Sequence, residues 1–471
     1  MINLDLAIVV LYLIVTLVVG IFAGRNVKNM KDFSVSSKIF PTSVLVSTIF
    51  ATWMGGDDLI GVSEKIYNVG FVFFVVQLGQ TVSLFFHAYV IAPKILRSFS
   101  DKVSIGEIMG ALYGKPGQVM CGVSNVLFSI GYVAAQVSAI GYVCSLFFDI
   151  DHFLGTIIGS LIVITYSSFG GIRSVVFTDV LQFGILIIGI PLMANMALEK
   201  VGGWEYLISS LPEQHVELTS YKGSFSLFIA YFVIYAFPGF SPMLIQRILM
   251  AKDENQAAQA LAISGILYVP FYAVIMVIAL SAVLMFPGID SNNAFLNVLN
   301  YSLPTVVKGI AISGVLAVVM STTDSFLNIS AIATTRDVVA VLWPSKVNDR
   351  SELLLSRTVT VLFGLMSIYI ATMFHSMLDF WMYFSNFWAP TVVAPMLMYL
   401  LNLKTDVKTY LLSMVVGFVS IVIFRYSVSE DYVVVSQVVG TCVTFVAMFV
   451  LGRYLRTLSY PYDSDLVVSR A

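Results

Sequence analysis

The residues best able to do chemistry in this sequence are oxygen-bearing and sit in apolar surroundings. The run Val318-Val319-Met320-Ser321-Thr322-Thr323-Asp324-Ser325 lies mid-way along a long apolar segment. At helical spacing, Val318, Ser321, Thr322 and Ser325 share one face. A second run, Ala51-Thr52-Trp53-Met54-Gly55-Gly56-Asp57-Asp58, places two glycines and two carboxylates inside another apolar segment. Unwinding there frees main-chain carbonyls, with Ala51 and Met54 best placed to offer them. Two hydroxyls and three carbonyls make a shell of five oxygens, without thiolate or imidazole, suited to a small hard cation. Ser and Thr also pack membrane helices without binding anything. The break beside them favours the ion reading.

Charged groups at membrane depth cost about 2.5–3.5 kcal/mol on insertion scales, so their presence asks for a function. Asp57 and Asp58 follow the break, Asp179 opens a later span, and Asp324 lies mid-way along its helix. Gln77, Gln80 and Gln136 also fall within apolar segments, where they contact a solute or bond across helices. The three cysteines and four histidines have no ligand spacing, and no nucleophile–base pair is evident. An enzyme or a metal centre is therefore not expected, nor an organic cofactor.

These groups must be positioned by membrane helices. Of 471 residues 58% are hydrophobic and only 11% charged, against roughly 25% charged in a soluble domain. The 25 Lys and Arg are scattered and form no nucleic-acid-binding block. A helix needs about 20 apolar residues to cross a bilayer. About thirteen such segments are expected, near 4–24, 40–65, 71–96, 118–148, 153–176, 179–199, 223–250, 258–286, 307–343, 353–374, 376–402, 407–426 and 432–454. The first lacks a basic leader and reads as a span, not a signal peptide. With alternating loops, 20 of the 25 basic residues fall on one side, which the positive-inside rule makes cytoplasmic. The N-terminus is then outside and the C-terminus inside. No soluble domain is expected in the short loops or the tail.

A second interruption, Phe237-Pro238-Gly239-Phe240-Ser241-Pro242, matches the first in position. Each opens a group of five spans, 40–199 and 223–402, flanked by a first helix with its loop (1–39), a connection (200–222) and two peripheral helices with a tail (403–471). Paired broken helices point to the binding site of a transporter. The fold class expected is an all-α integral membrane protein with a five-plus-five inverted repeat.

The stretch Gly170-Gly171-Ile172-Arg173-Ser174-Val175-Val176-Phe177-Thr178-Asp179-Val180-Leu181-Gln182, with Met320-Ser321-Thr322 and Gln246-Arg247, resembles the sodium/solute symporter family from first span to last. The resemblance implies a LeuT-type fold in the cell membrane, with Na+ as coupling ion and a small-molecule solute as cargo. It implies a sodium site at Ala51, Met54, Val318, Ser321 and Thr322, and in some members a second cation site, here Asp179, Asp324 and Ser325. Ala51-Thr52-Trp53-Met54-Gly55-Gly56 is most similar to the high-affinity choline transporter branch. That likeness implies an aromatic pocket holding an organic cation by cation–π contacts. Trp53 fits this role, Tyr132 and Ser241 stand where the branch has tryptophans, and Phe240 and Trp381 are substitutes. Asp57 and Asp58, absent from the branch there, offer to meet an amine. The expected solute is an organic cation, an amine or an amino acid. Proton coupling through Asp179 and Asp324 is the near alternative, and a solute receptor without transport the more distant one.

Overall fold

The structure, a computed structural model, describes residues 4–148, 150–219, 221–373, 386–428, 435–455 and 457. Trp381 lies outside them. Among the described residues the chain is almost wholly helical, and nine helices are long and apolar enough to cross a membrane. The shorter apolar helices Thr42–Trp53 and Phe225–Ala236 are the first halves of the two interrupted helices. Their second halves run over 57–69 and Pro242–Met250.

Each interruption has a local cause. Thr42–Trp53 starts after Pro41 and ends where Met54 turns extended (ψ 102°). A Cβ on Gly55 would lie 2.2 Å from the Asp57 carboxylate, so any larger residue there would displace the Asp57 side chain. Asp58 closes the restart by accepting the Gly55 N–H at 3.1 Å. In the second interruption, Phe237 precedes proline and is extended, as the proline ring demands. Phe240 takes φ +48° and Pro242 opens the next half at its first turn. The freed carbonyls are met by side chains from other helices: Ser83 donates to Phe237 O and Trp388 Nε1 to Gly239 O, as a non-aqueous setting requires.

The helix Val307–Leu342 is the centre of the bundle. In its most apolar window 94% of residues are buried by the rest of the protein, against 28% for Leu4–Gly24, which faces outward to lipid. Asp5 accepts the Val306 and Gly309 N–H groups and ties the first helix to its start. The cation-rich ends carry their own pairs. Arg336, for example, bonds to Glu107 and Glu352.

Two expected boundaries move. The chain bends at Gly171 (φ +51°), in the Gly170-Gly171 stretch expected to divide spans but before the expected span limits at 176 and 179, within the continuous run His152–Lys200. Asp179 therefore does not open a span; it lies two turns past the bend and is fully buried. Similarly, the span expected from 118 is the continuation of a run that begins at Ile105 and kinks at Tyr113–Gly114. A Cβ at Gly171 would stand 2.5 Å from the Phe33 ring. Gly171→Ala, in this left-handed conformation and against that ring, should destabilise by on the order of 1–3 kcal/mol, read as a lower melting temperature in detergent. An unchanged melting temperature would show that the bend relaxes freely.

Candidate ion and solute site

The first break and the central helix meet through oxygens. The Ser321 hydroxyl donates to Ala51 O at 2.7 Å and to its own helix at Val318 O, 2.9 Å. Thr322 Oγ1 reaches Met54 O and Thr52 O at 3.3 Å and Val318 O at 3.1 Å. All five expected ligand residues are therefore brought together. Both side chains are fully buried. The Thr322 separations match the edge of an octahedral oxygen shell with bonds of roughly 2.4 Å, which is roughly 3.4 Å. The donor set is hard, and among the described residues no cluster of three or more His, Cys, Asp or Glu offers a rival metal centre.

One turn further along, Asp179 and Ser325 stand against a basic side chain that the loop-charge count places on the cytoplasmic side. Arg247 is buried in the bundle. Its Nη2 lies 2.6 Å from Ser325 Oγ, 2.9 Å from Thr52 Oγ1 and 3.6 Å from Asp179 Oδ2. Its Nη1 donates to Gln246 Oε1 at 2.9 Å. Asp179 also accepts from Thr48 and Thr52. Asp324 instead accepts from Tyr166 at 2.6 Å and Thr178 at 3.4 Å. The guanidinium thus stands beside Asp179 and Ser325, two of the three residues expected at a second cation site. Thr48 and Thr52 escaped the sequence reading, although their four-residue spacing puts both on one helix face.

Beyond the break lies a cavity of about 270 Å³. It extends along the half-helix 57–69 to Glu64 and Lys65. Its walls include Trp53, Asp57, Asp58, Gln77, Gln80, Tyr132 and Ser241, all expected, with Phe128, Tyr235 and Phe326, which were not. Phe240 is not among them: its left-handed backbone turns the ring into the core against His87. Asp58 is buried and accepts from Gln77, Gln80 and Tyr272 as well as Gly55. Asp57 is open to the cavity, bridged by Tyr132 Oη at 2.8 Å to each oxygen, with Gln136 Nε2 at 3.2 Å. Trp53 Nε1 donates to Gln80, and Tyr132 packs on Phe326 with ring centroids 4.5 Å apart.

Broken helices enclosing an oxygen shell and a midway cavity define a multi-pass membrane transporter of the symporter class. The sodium:solute symporter family matches residues 33–417, and this chain belongs to that family. It is 27% identical to the high-affinity choline transporter 1 of Drosophila melanogaster, over 85% of this chain and 67% of the relative. The osmoregulated proline transporter of Bacillus subtilis is 21% identical over 77% and 76%. Among solved structures, an outward-open Na+-coupled sialic acid symporter superposes with a TM-score of 0.83 at 17% identity, covering 97% of this chain and 99% of that one. Its likeness shows the fold, which is LeuT-like.

Removing one partner of a buried ion pair typically costs 3–5 kcal/mol, while replacing both is far milder. Asp179→Asn should therefore lower the melting temperature sharply, and Asp179→Asn with Arg247→Gln should recover much of the loss. Equal melting of wild type and Asp179→Asn would remove the pair from the core's electrostatics.

Proposed function

We propose that the protein is a sodium-coupled symporter that imports a small organic solute by alternating access, with one sodium ion bound at Ala51, Met54, Val318, Ser321 and Thr322. The observation that carries this reading is the convergence of Ser321 and Thr322 on the carbonyls of the first break. Sodium replaces the hydroxyl hydrogen bonds there and holds the broken helix to the central one. The cavity, which shares the break, is thereby completed for solute. As one helix group rocks against the other, both cargoes leave inward. Thirteen spans, with the N-terminus outside and an inverted repeat of 40–199 and 223–402, accord with this scheme. The cavity then opens outward along 57–69.

Arg247 supports a single-ion reading, because its fixed charge stands beside two of the three residues expected at a second cation site. One charge moving down a membrane potential of about 100 mV releases about 2.3 kcal/mol, enough to concentrate a neutral solute roughly fiftyfold. The choline and proline transporters among the relatives support an organic solute, amine or amino acid.

In proteoliposomes, an inward sodium gradient should drive accumulation of solute from a panel of radiolabelled amines and amino acids, and a pH gradient in sodium-free buffer should not. Equal uptake with and without the sodium gradient would exclude sodium coupling. Thr322→Ala should raise the sodium concentration needed for half-maximal uptake by about tenfold, equivalent to about 1.4 kcal/mol. An unchanged requirement would take Thr322 out of the site.

A further inference from the structure

We propose that the solute is a cation bearing N–H donors, a primary or secondary ammonium or a guanidinium, which docks on the Asp57 carboxylate and the Gln77 amide oxygen. This rests on the reading of the cavity as the solute site. It excludes two solute types that the family members just described would suggest, a quaternary ammonium and an amino acid zwitterion.

The first reason is charge. In a broken transporter helix the second half presents its N-terminus to the site, and that end carries about half a positive charge, suited to an anionic group of the solute. Here the first turn of that half is Asp57-Asp58. A single ionised carboxylate there already outweighs the half charge of the dipole and reverses the sign of the end. Asp58 is buried and already engaged: Gln77, Gln80 and Tyr272 donate to its Oδ1 and the Gly55 N–H to its Oδ2. Asp57 is the exposed one of the two cavity-lining aspartates, held by the Tyr132 hydroxyl and the Gln136 amide.

A second, independent reason is an acceptor without a donor. Gln77 lines the cavity and is fully buried. Its Nε2 donates to Asp58 Oδ1 at 3.1 Å, which fixes the amide orientation, since the reverse would press its oxygen against a carboxylate. Gln77 Oε1 is then left with no hydrogen-bond partner. A buried acceptor of this kind is costly unless a donor arrives. An ammonium or guanidinium entering the cavity offers several N–H groups, more than the Asp57 carboxylate alone takes up, and so has donors left for an acceptor such as Gln77 Oε1. A trimethylammonium offers none. The carboxylate of an amino acid would enter beside two aspartates. The lining cation it would find, Lys65, is paired with Glu64 at 3.3 Å. Trp53, Tyr132 and Phe326 supply faces for the cation and for its hydrocarbon.

The test is isothermal titration of the purified protein in lipid nanodiscs at saturating sodium chloride. The probes are ethanolamine against choline, benzylamine against benzyltrimethylammonium, and L-proline. Each primary amine should bind at least tenfold more tightly than its trimethylated counterpart, and L-proline should not bind. Asp57→Asn should weaken amine binding at least tenfold, with Asp57→Glu retaining part of it. The sodium-induced rise in melting temperature reports whether each variant folds, and where one does not, the wild-type series decides. Quaternary ammoniums binding as tightly as the amines would overturn the proposal. So would binding of neither amine, or full affinity in folded Asp57→Asn. A sodium-induced melting shift without amine binding sinks only this inference. Amine binding that is equal in sodium-free buffer sinks the sodium-coupled reading and leaves this one standing.

Discussion

Everything at the centre of this molecule depends on how main-chain carbonyls are satisfied where a helix is broken inside a membrane. Lipid offers no hydrogen bonds, so the break at Met54–Gly56 is stable only because another helix supplies them. That helix, Val307–Leu342, brings Ser321 and Thr322 to within hydrogen-bond distance of Ala51, Thr52 and Met54. The same oxygens that repair the break are those a sodium ion would use. The ion site is therefore not an addition to the fold: the break, its repair and the proposed coupling site are one arrangement. The second break is repaired differently, by Ser83 and by the Trp388 indole. The indole N–H is a donor only, so one of the two groups that repair this break has no oxygen to offer a cation.

Charge around the break is unbalanced. Asp57, Asp58, Asp179 and Asp324 all come from helices that meet there, while Arg247 is the cation buried among them. Buried carboxylates are tolerated when hydrogen-bonded, and Asp58 and Asp324 are held this way by tyrosines and amides or hydroxyls. Asp57 and Asp179 are the two that differ, and they differ in opposite ways. Asp179 has its counter-charge built into the chain through Arg247. Asp57 has neutral partners only, Tyr132 and Gln136, and it faces a cavity. Among the described residues no basic side chain pairs with Asp57, and a cationic solute would supply that counter-charge, which is the sense in which the solute proposal follows from the electrostatics.

Some of this was legible in the sequence because it is local. Helical spacing placed Val318, Ser321 and Thr322 on one face, and glycine and proline marked both breaks. Asp57, Gln77 and Gln80 fell within apolar runs and so stood out by cost. What was not legible needed long-range packing. Arg247 lies near Lys252 at a span's end, and a loop count assigned it to the cytoplasm; only the meeting of helices 195 and 78 residues away, at Thr52 and Ser325, shows it inside. The depth of Asp179 depended on whether the chain turned at Gly171 or some residues later, and that was settled by the close approach of Phe33. Phe240 looked like a pocket aromatic because it sits in a break, yet its positive φ points the ring into the core. Composition alone does not reveal such a turn.

The position of Arg247 also bears on how the bundle moves. Its guanidinium bonds to Thr52 on the first broken helix and to Ser325 on the central helix, and it is itself carried on the second broken helix. A fixed charge at the junction of three elements resists their separation more than a mobile sodium ion would, because it cannot leave. The sodium site, one turn away, joins only two of the three. In the proposed cycle, loss of sodium would thus remove one of two links between the first break and the central helix, and the Arg247 junction would keep the other.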